Sequence, residues 1–126
     1  MYKNLTLTAF VGALAVILGA FGAHALKETL SATELNSFET AVRYQMYHVI
    51  VLFIINLNQV FSLKEKKIMS YLFMVGILFF SGSIYAMYLA KIPAKNIWFI
   101  TPFGGLLLIL GWFYLGLTFF RKSIKK

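Results

Sequence analysis

The chain has 126 residues, of which 60% are hydrophobic and only 13% charged, against about 25% charged in an ordinary soluble domain. Mean hydropathy is +0.80, and the apolar residues lie in long blocks. A disordered chain is excluded, a water-soluble globule is disfavoured, and residues 1–126 make one unit with no second domain.

Twelve Lys/Arg against four Asp/Glu give a net charge of +8 and a pI near 9.8. The cations sit at the ends of apolar blocks, as at Lys64, Lys66 and Lys67 or Lys122, Lys125 and Lys126. No basic stripe is interleaved with stacking aromatics, so the charge reads as membrane flanks and not as a nucleic-acid surface. The absence of cysteine excludes disulfides, thiolate metal sites and cysteine nucleophiles.

The first block, about residues 5–26, carries no charge, and His24 is its one strongly polar side chain. At about 1.5 Å per residue it measures about 33 Å, enough to cross a hydrocarbon core of about 30 Å. Ala23-His24-Ala25 has the small-x-small form of a cleavage site. The block is longer than the roughly 7–15-residue core of a signal peptide, so a retained helix is expected.

The second element starts differently. Ser31 and Glu34 have the spacing of a capping box, in which two side chains satisfy free N–H groups reciprocally. Leu35, Phe38, Val42, Met46 and Val49 then recur at spacings of three and four, the signature of an amphipathic helix. Past Tyr47 the pattern is continuously apolar. One helix over 32–61 is predicted, with an interfacial lead-in at 32–43 and a span at 44–61.

A third span is predicted at 68–90 and a fourth at 101–120. Thr101-Pro102 reads as an N-cap followed by proline at the first helical position, where the missing N–H costs nothing. A start near Asn96 is the alternative. Trp98 reads as an interfacial anchor. Ala15, Gly19 and Ala23, and likewise Gly82, Ala86 and Ala90, have the small-xxx-small spacing that lets helices approach, within one chain or toward a second copy or partner membrane protein.

Four spans put both termini on one side. Lys3, Lys64, Lys66, Lys67, Arg121, Lys122, Lys125 and Lys126 lie on that side, and Lys27, Arg43, Lys91 and Lys95 on the other. Eight cations against four predict cytoplasmic termini. The expected fold is all-α, an integral membrane four-helix bundle in the cell membrane.

In that orientation the unusual polar groups fall at one depth. His24 lies about 28 Å above the start of the first span, and Ser81, Ser83 and Tyr85 about 20–26 Å above the start of the third. Arg43, Tyr44, Tyr47 and His48 occupy the outer turns of the second span, and Thr101 opens the fourth. Glu39 and Arg43 are four apart with the acid first, the favourable order for a helical ion pair. Ionisable groups inside a membrane usually face a bundle interior or a cavity. His24, Glu39, Arg43, Tyr44, Tyr47, His48, Ser81, Ser83, Tyr85 and Thr101 are therefore the candidate ligand-binding residues.

Gly19-Ala-Phe-Gly-Ala-His24, Phe38-Glu-Thr-Ala-Val-Arg-Tyr-Gln-Met-Tyr-His48, Phe80-Ser-Gly-Ser-Ile-Tyr85 and Thr101-Pro-Phe-Gly-Gly105 with Gly111-Trp112 occur in this order. They resemble the small bacterial inner-membrane family of unknown function typified by YgdD and YwdK, which has relatives in eukaryotes. The resemblance implies a retained first helix, four spans and a cell-membrane location, and it carries over no catalytic residue.

Three kinds of function fit. The first is a binding module with an outer-leaflet pocket for a membrane lipid, a quinone or another amphiphile, in which Arg43 meets an anionic or carbonyl group. The second is a structural or accessory subunit whose polar residues fasten helices. The third is a haem or metal protein with His24 and His48 as ligands. A proton-coupled transporter lacks an Asp or Glu within a span. Enzyme chemistry has little support, because no nucleophile elbow, paired carboxylates or HExxH accompany His48 and Arg43.

Overall fold

Two serines start the central helices. In the computed structural model, which describes residues 2–125, Ser31 Oγ accepts from the Glu34 N–H at 3.1 Å and the Glu34 carboxylate accepts from the Ser31 N–H at 2.9 Å. Ser62 and Glu65 repeat the arrangement at 3.2 and 2.9 Å. The elements are α1 (Tyr2–His24), α2 (Ala32–Leu57), α3 (Leu63–Tyr88), a single turn α4 (Ala94–Ile97) and α5 (Ile100–Ile124).

Two boundaries differ from those expected, and the second capping box sets one of them. α3 begins at Leu63, five residues before the expected start at 68, and α2 stops at Leu57 instead of 61. Asn58 ends α2, its side chain accepting from the Val60 N–H at 2.9 Å, a local bond that competes with helix continuation. Ser62-x-x-Glu65 is the same signal as Ser31-x-x-Glu34, but no amphipathic pattern follows it to mark it out. α5 also differs from the expected start. After the α4 turn it begins at Ile100, so Thr101 is not its N-cap and Pro102 is its third residue. Proline is tolerated there because the first four N–H groups of a helix have no intrahelical acceptor.

Neighbouring helices run antiparallel, with α1 against α2, α2 against α3 and α3 against α5. Glycines set the spacing. A Cβ at Gly12 would stand 3.1 Å from Val49, at Gly19 3.3 Å from Val42, and at Gly22 2.8 Å from Phe38, so α1 lies against α2 through small residues. Ala15 belongs to this seam, whereas Ala23 is exposed. On the other side Gly76 faces Leu108, Gly104 faces Phe80 and Gly111 faces Phe73. Gly82 has only Leu78 of its own helix nearby and opens no close approach. The main apolar cluster, Leu52, Ile55, Phe61, Met69, Phe73 and Ile77, is closed by Leu108 of α5.

α1, α2, α3 and α5 are each long and apolar enough to cross a membrane. Their outward faces carry large exposed hydrophobics, such as Phe10 and Ile17 on α1 or Phe113 and Phe120 on α5, as lipid contact requires. Lys122 meets Glu65 at 3.2 Å and Phe61 meets Phe119, so the α2–α3 turn and the end of α5 share one end of the protein. Lys3, Lys64, Lys66, Lys67, Arg121 and Lys125 gather there too, while Lys126 lies outside the described residues. This is the lysine-rich end.

The α3–α5 contact yields a paired prediction. A Cβ at Gly104 would overlap the backbone nitrogen of Phe80 and come within 2.7 Å of the Phe79 carbonyl carbon. Backbone cannot swing aside, so α3 and α5 must part, at a cost on the order of 1–3 kcal/mol. Thermal melts in one detergent should show Gly104→Ala well below wild type. Gly116→Ala, which adds its Cβ to open space, should melt with wild type.

Candidate functional site

Gln45 stands halfway along α2 and is 1% exposed. Its Nε2 donates to the Val11 carbonyl of α1 at 2.8 Å, and its Oε1 accepts from the Tyr85 hydroxyl of α3 at 2.5 Å. One amide thus ties three helices. A turn away, Ser81 donates to the Ala41 carbonyl at 2.7 Å, joining α3 to α2. Ser83 and Thr101 share a hydrogen bond of 2.5 Å between α3 and α5, and this is why Thr101 points inward instead of capping.

His48, one turn below Gln45, is buried against Phe73 and Trp112. Its Nδ1 lies 2.6 Å from the Tyr44 carbonyl oxygen, and its Nε2 lies 3.0 Å from the indole Nε1 of Trp112. Carbonyl oxygens only accept and indole N–H only donates, so the Nδ1–H tautomer satisfies both contacts. Among the described residues no buried side-chain nitrogen or oxygen lacks a partner. The polar layer is closed on itself.

The remaining candidates face outward. Arg43 donates to Thr40 Oγ1 at 2.9 Å and stands 4.0 Å from Glu39, with the two ionic side chains 47% and 49% exposed. Tyr44 stacks on Phe80 at 5.0 Å and Tyr47 is exposed. Beside them, Ile50, Val51 and Trp112 complete a shallow depression of about 520 Å³ that reaches His48.

His24 does not make the approach to Tyr44, Tyr47 and His48 that depth alone suggests. Gly22 packs on Phe38, and two residues further, about 200° round the helix, His24 is exposed. The pairings of Gly12 with Val49, Gly19 with Val42 and Gly22 with Phe38 put His24 level with residues 36–37. That is about 17 Å from the level of His48. The two histidines do not form an axial pair for one haem iron or metal ion. Among the described residues no three His, Asp or Glu side chains gather as a metal site either.

A second polar region lies at the lysine-rich end. A cleft of about 470 Å³ opens between α1, α2 and α3. Lys66 and Lys67 line it on α3 and Asn4 on α1; one turn further along these helices come Ser70, Tyr71 and Thr8. Leu52, Met74 and Val75 form its apolar part. Asn56 of α2 donates to Ser70 Oγ at 3.1 Å and to the Leu52 carbonyl at 2.9 Å, and Lys66 Nζ donates to the Asn56 carbonyl at 3.2 Å. Gln45, Asn56 and Trp112 are not among the candidate binding residues expected from the sequence, and neither is this cleft. A signal was present, because Gln45, His48, Leu52 and Asn56 follow helical spacing along one stripe of α2.

The chain matches the family described as "Protein of unknown function (DUF423)" over residues 18–105. It belongs to that family. A UPF0382 membrane protein of Haemophilus influenzae is 40% identical over 121 residues, covering 96% of each chain. YwdK of Bacillus subtilis is 36% identical over 79% of this chain and 80% of its own. The inner membrane protein YgdD of Escherichia coli is 33% identical over 86% of this chain and 82% of its own. No solved structure matches. With four spanning helices and relatives named as membrane proteins, this member of the family is a multi-pass membrane protein.

The two kinds of polar residue should respond oppositely to mutation. Gln45→Leu removes both interhelical bonds, each about 0.6 kcal/mol on average and up to about 1.7 in membrane proteins. Its melting temperature in detergent should fall clearly. Arg43→Gln removes only an exposed pair, under about 1 kcal/mol, and should leave the melt nearly unchanged.

Proposed function

We propose that the protein is a membrane-embedded binding module that holds an amphiphile in the cleft between α1, α2 and α3. The observation that carries the reading is the cleft itself. Its volume of about 470 Å³ falls within the range of small-molecule sites, about 300–1,000 Å³. Its wall passes from lysine through amide and hydroxyl to aliphatic side chains, a sequence of surfaces that suits a molecule polar at one end and apolar at the other. The level of Arg43, Tyr44 and His48 supports binding less well. Its buried groups are already paired with one another, and its charged groups face outward.

A test fills the cleft without touching the core. Leu7 lines it and is 52% exposed, so Leu7→Trp should fold normally. Native mass spectrometry of protein purified from membranes should show lipid retained by wild type and lost from Leu7→Trp. Equal retention would favour the second reading, a structural subunit, which draws its support from the closed polar layer.

The same reading sets the lysine-rich end in the cytoplasm, supported by the excess of cations there. The chain has no cysteine, so single-cysteine variants carry no background. A membrane-impermeant maleimide added to intact cells should label a cysteine at position 94 but not at 65 or 125. The opposite pattern would reverse the topology.

A further inference from the structure

Resting on the cleft reading above, we infer that the occupant is an anionic glycerophospholipid whose phosphate is held by Lys66 and Lys67. The charge at the cleft has one sign. Two lysines line it and no carboxylate does. Glu65, the acidic residue between them and Ser62, is engaged elsewhere: it caps α3 through the Ser62 N–H at 2.9 Å and pairs with Lys122 of α5 at 3.2 Å. An anion entering the cleft therefore meets no competing negative group on its lining.

The two lysines are differently prepared. Lys66 is anchored by its bond to the Asn56 carbonyl at the end of α2. An ammonium has three N–H donors, so two remain for a phosphate oxygen. Lys67 is exposed and makes no salt bridge among the described residues. The anchored ammonium fixes the position of the anion and the free one closes over it.

The source of the phosphate follows from what lies below. Along α3 the lining changes turn by turn, from Lys66 and Lys67 to Ser70 and Tyr71 and then to Met74 and Val75. At about 1.5 Å per residue these levels lie about 6 Å apart. That order matches a phosphate, then the ester-bearing glycerol, then the first methylenes of the chains. Free phosphate would use only the top level and leave the aliphatic level to no purpose. Charge on the headgroup is what distinguishes the preferred lipid, since zwitterionic and anionic phospholipids share the other two levels.

The test measures dioleoyl phosphatidylglycerol against dioleoyl phosphatidylcholine, added at equal concentration to delipidated protein and read by native mass spectrometry. Wild type should retain phosphatidylglycerol preferentially. Lys67→Gln should reduce that preference roughly fivefold, the size expected for one lysine near an anionic lipid surface. Lys64→Gln, which removes an exposed cation outside the cleft, should leave it unchanged. An equal effect of Lys64→Gln would assign the preference to diffuse surface charge and overturn the inference. Equal retention of the two lipids, still lost in Leu7→Trp, would overturn the anionic occupant while keeping the cleft reading. Loss of neither lipid in Leu7→Trp would sink both. Inorganic phosphate at millimolar concentration should not raise the melting temperature. A rise equal to that from phosphatidylglycerol would overturn the lipid as the source.

Discussion

The hydrogen bonds of Gln45 bind α1 to the rest of the molecule. Inside a membrane, lipid chains are as apolar as leucine, so no hydrophobic force drives helices together. Association depends on close packing and on polar groups that have no water to turn to. α1 packs closely on α2 but along one narrow seam at Gly12, Gly19 and Gly22, and the residues it buries, Thr8, Ala15 and Gly22, are small. The amide of Gln45, reaching the Val11 carbonyl on one side and the Tyr85 hydroxyl on the other, supplies the second. A leucine there would pack as well and hold nothing.

The rest of the polar layer works by the same rule. Ser81 on the Ala41 carbonyl, Ser83 with Thr101, and Trp112 on His48 link every adjoining pair among α2, α3 and α5. Each bond is modest, yet each gives a buried polar group its partner and penalises any register that separates the pair. Glycine seams then bring the backbones close enough for these short side chains to reach. Helix assembly alone therefore explains Gln45, His48, Ser81, Ser83, Tyr85, Thr101 and Trp112 before any ligand is invoked.

Past Leu52 the stripe that carries Gln45 and His48 reaches Asn56, and the character of the protein changes. Asn56 bonds within α2 and to Ser70, Lys66 bonds to its carbonyl, and a cleft opens toward α1. The middle of the molecule is closed and self-satisfied, and the lysine-rich end keeps donors free beside an apolar wall. The division sets a rigid scaffold beneath an accessible, charged mouth, the feature on which the proposed binding reading rests.

Class, spans and membrane location were legible in the chain, because apolar run length and terminal charge are local properties that lipid imposes directly on sequence. The Ser31 box was legible for the same reason, and the Ser62 box carried an equal signal. Partnership was not legible. Depth counts put His24 and His48 together, but the glycine pairings of α1 with α2 set them about 17 Å apart in level, and a 200° turn past Gly22 leaves His24 on the outside. Thr101 read as a cap from its neighbour Pro102, and only the approach of α5 to α3 at Gly104 gives its hydroxyl to Ser83. Gln45 looked ordinary beside Arg43, since charge stands out in a sequence and a neutral amide does not. Which side chains meet depends on how helices rotate and cross, and that is decided by packing between elements far apart in the chain.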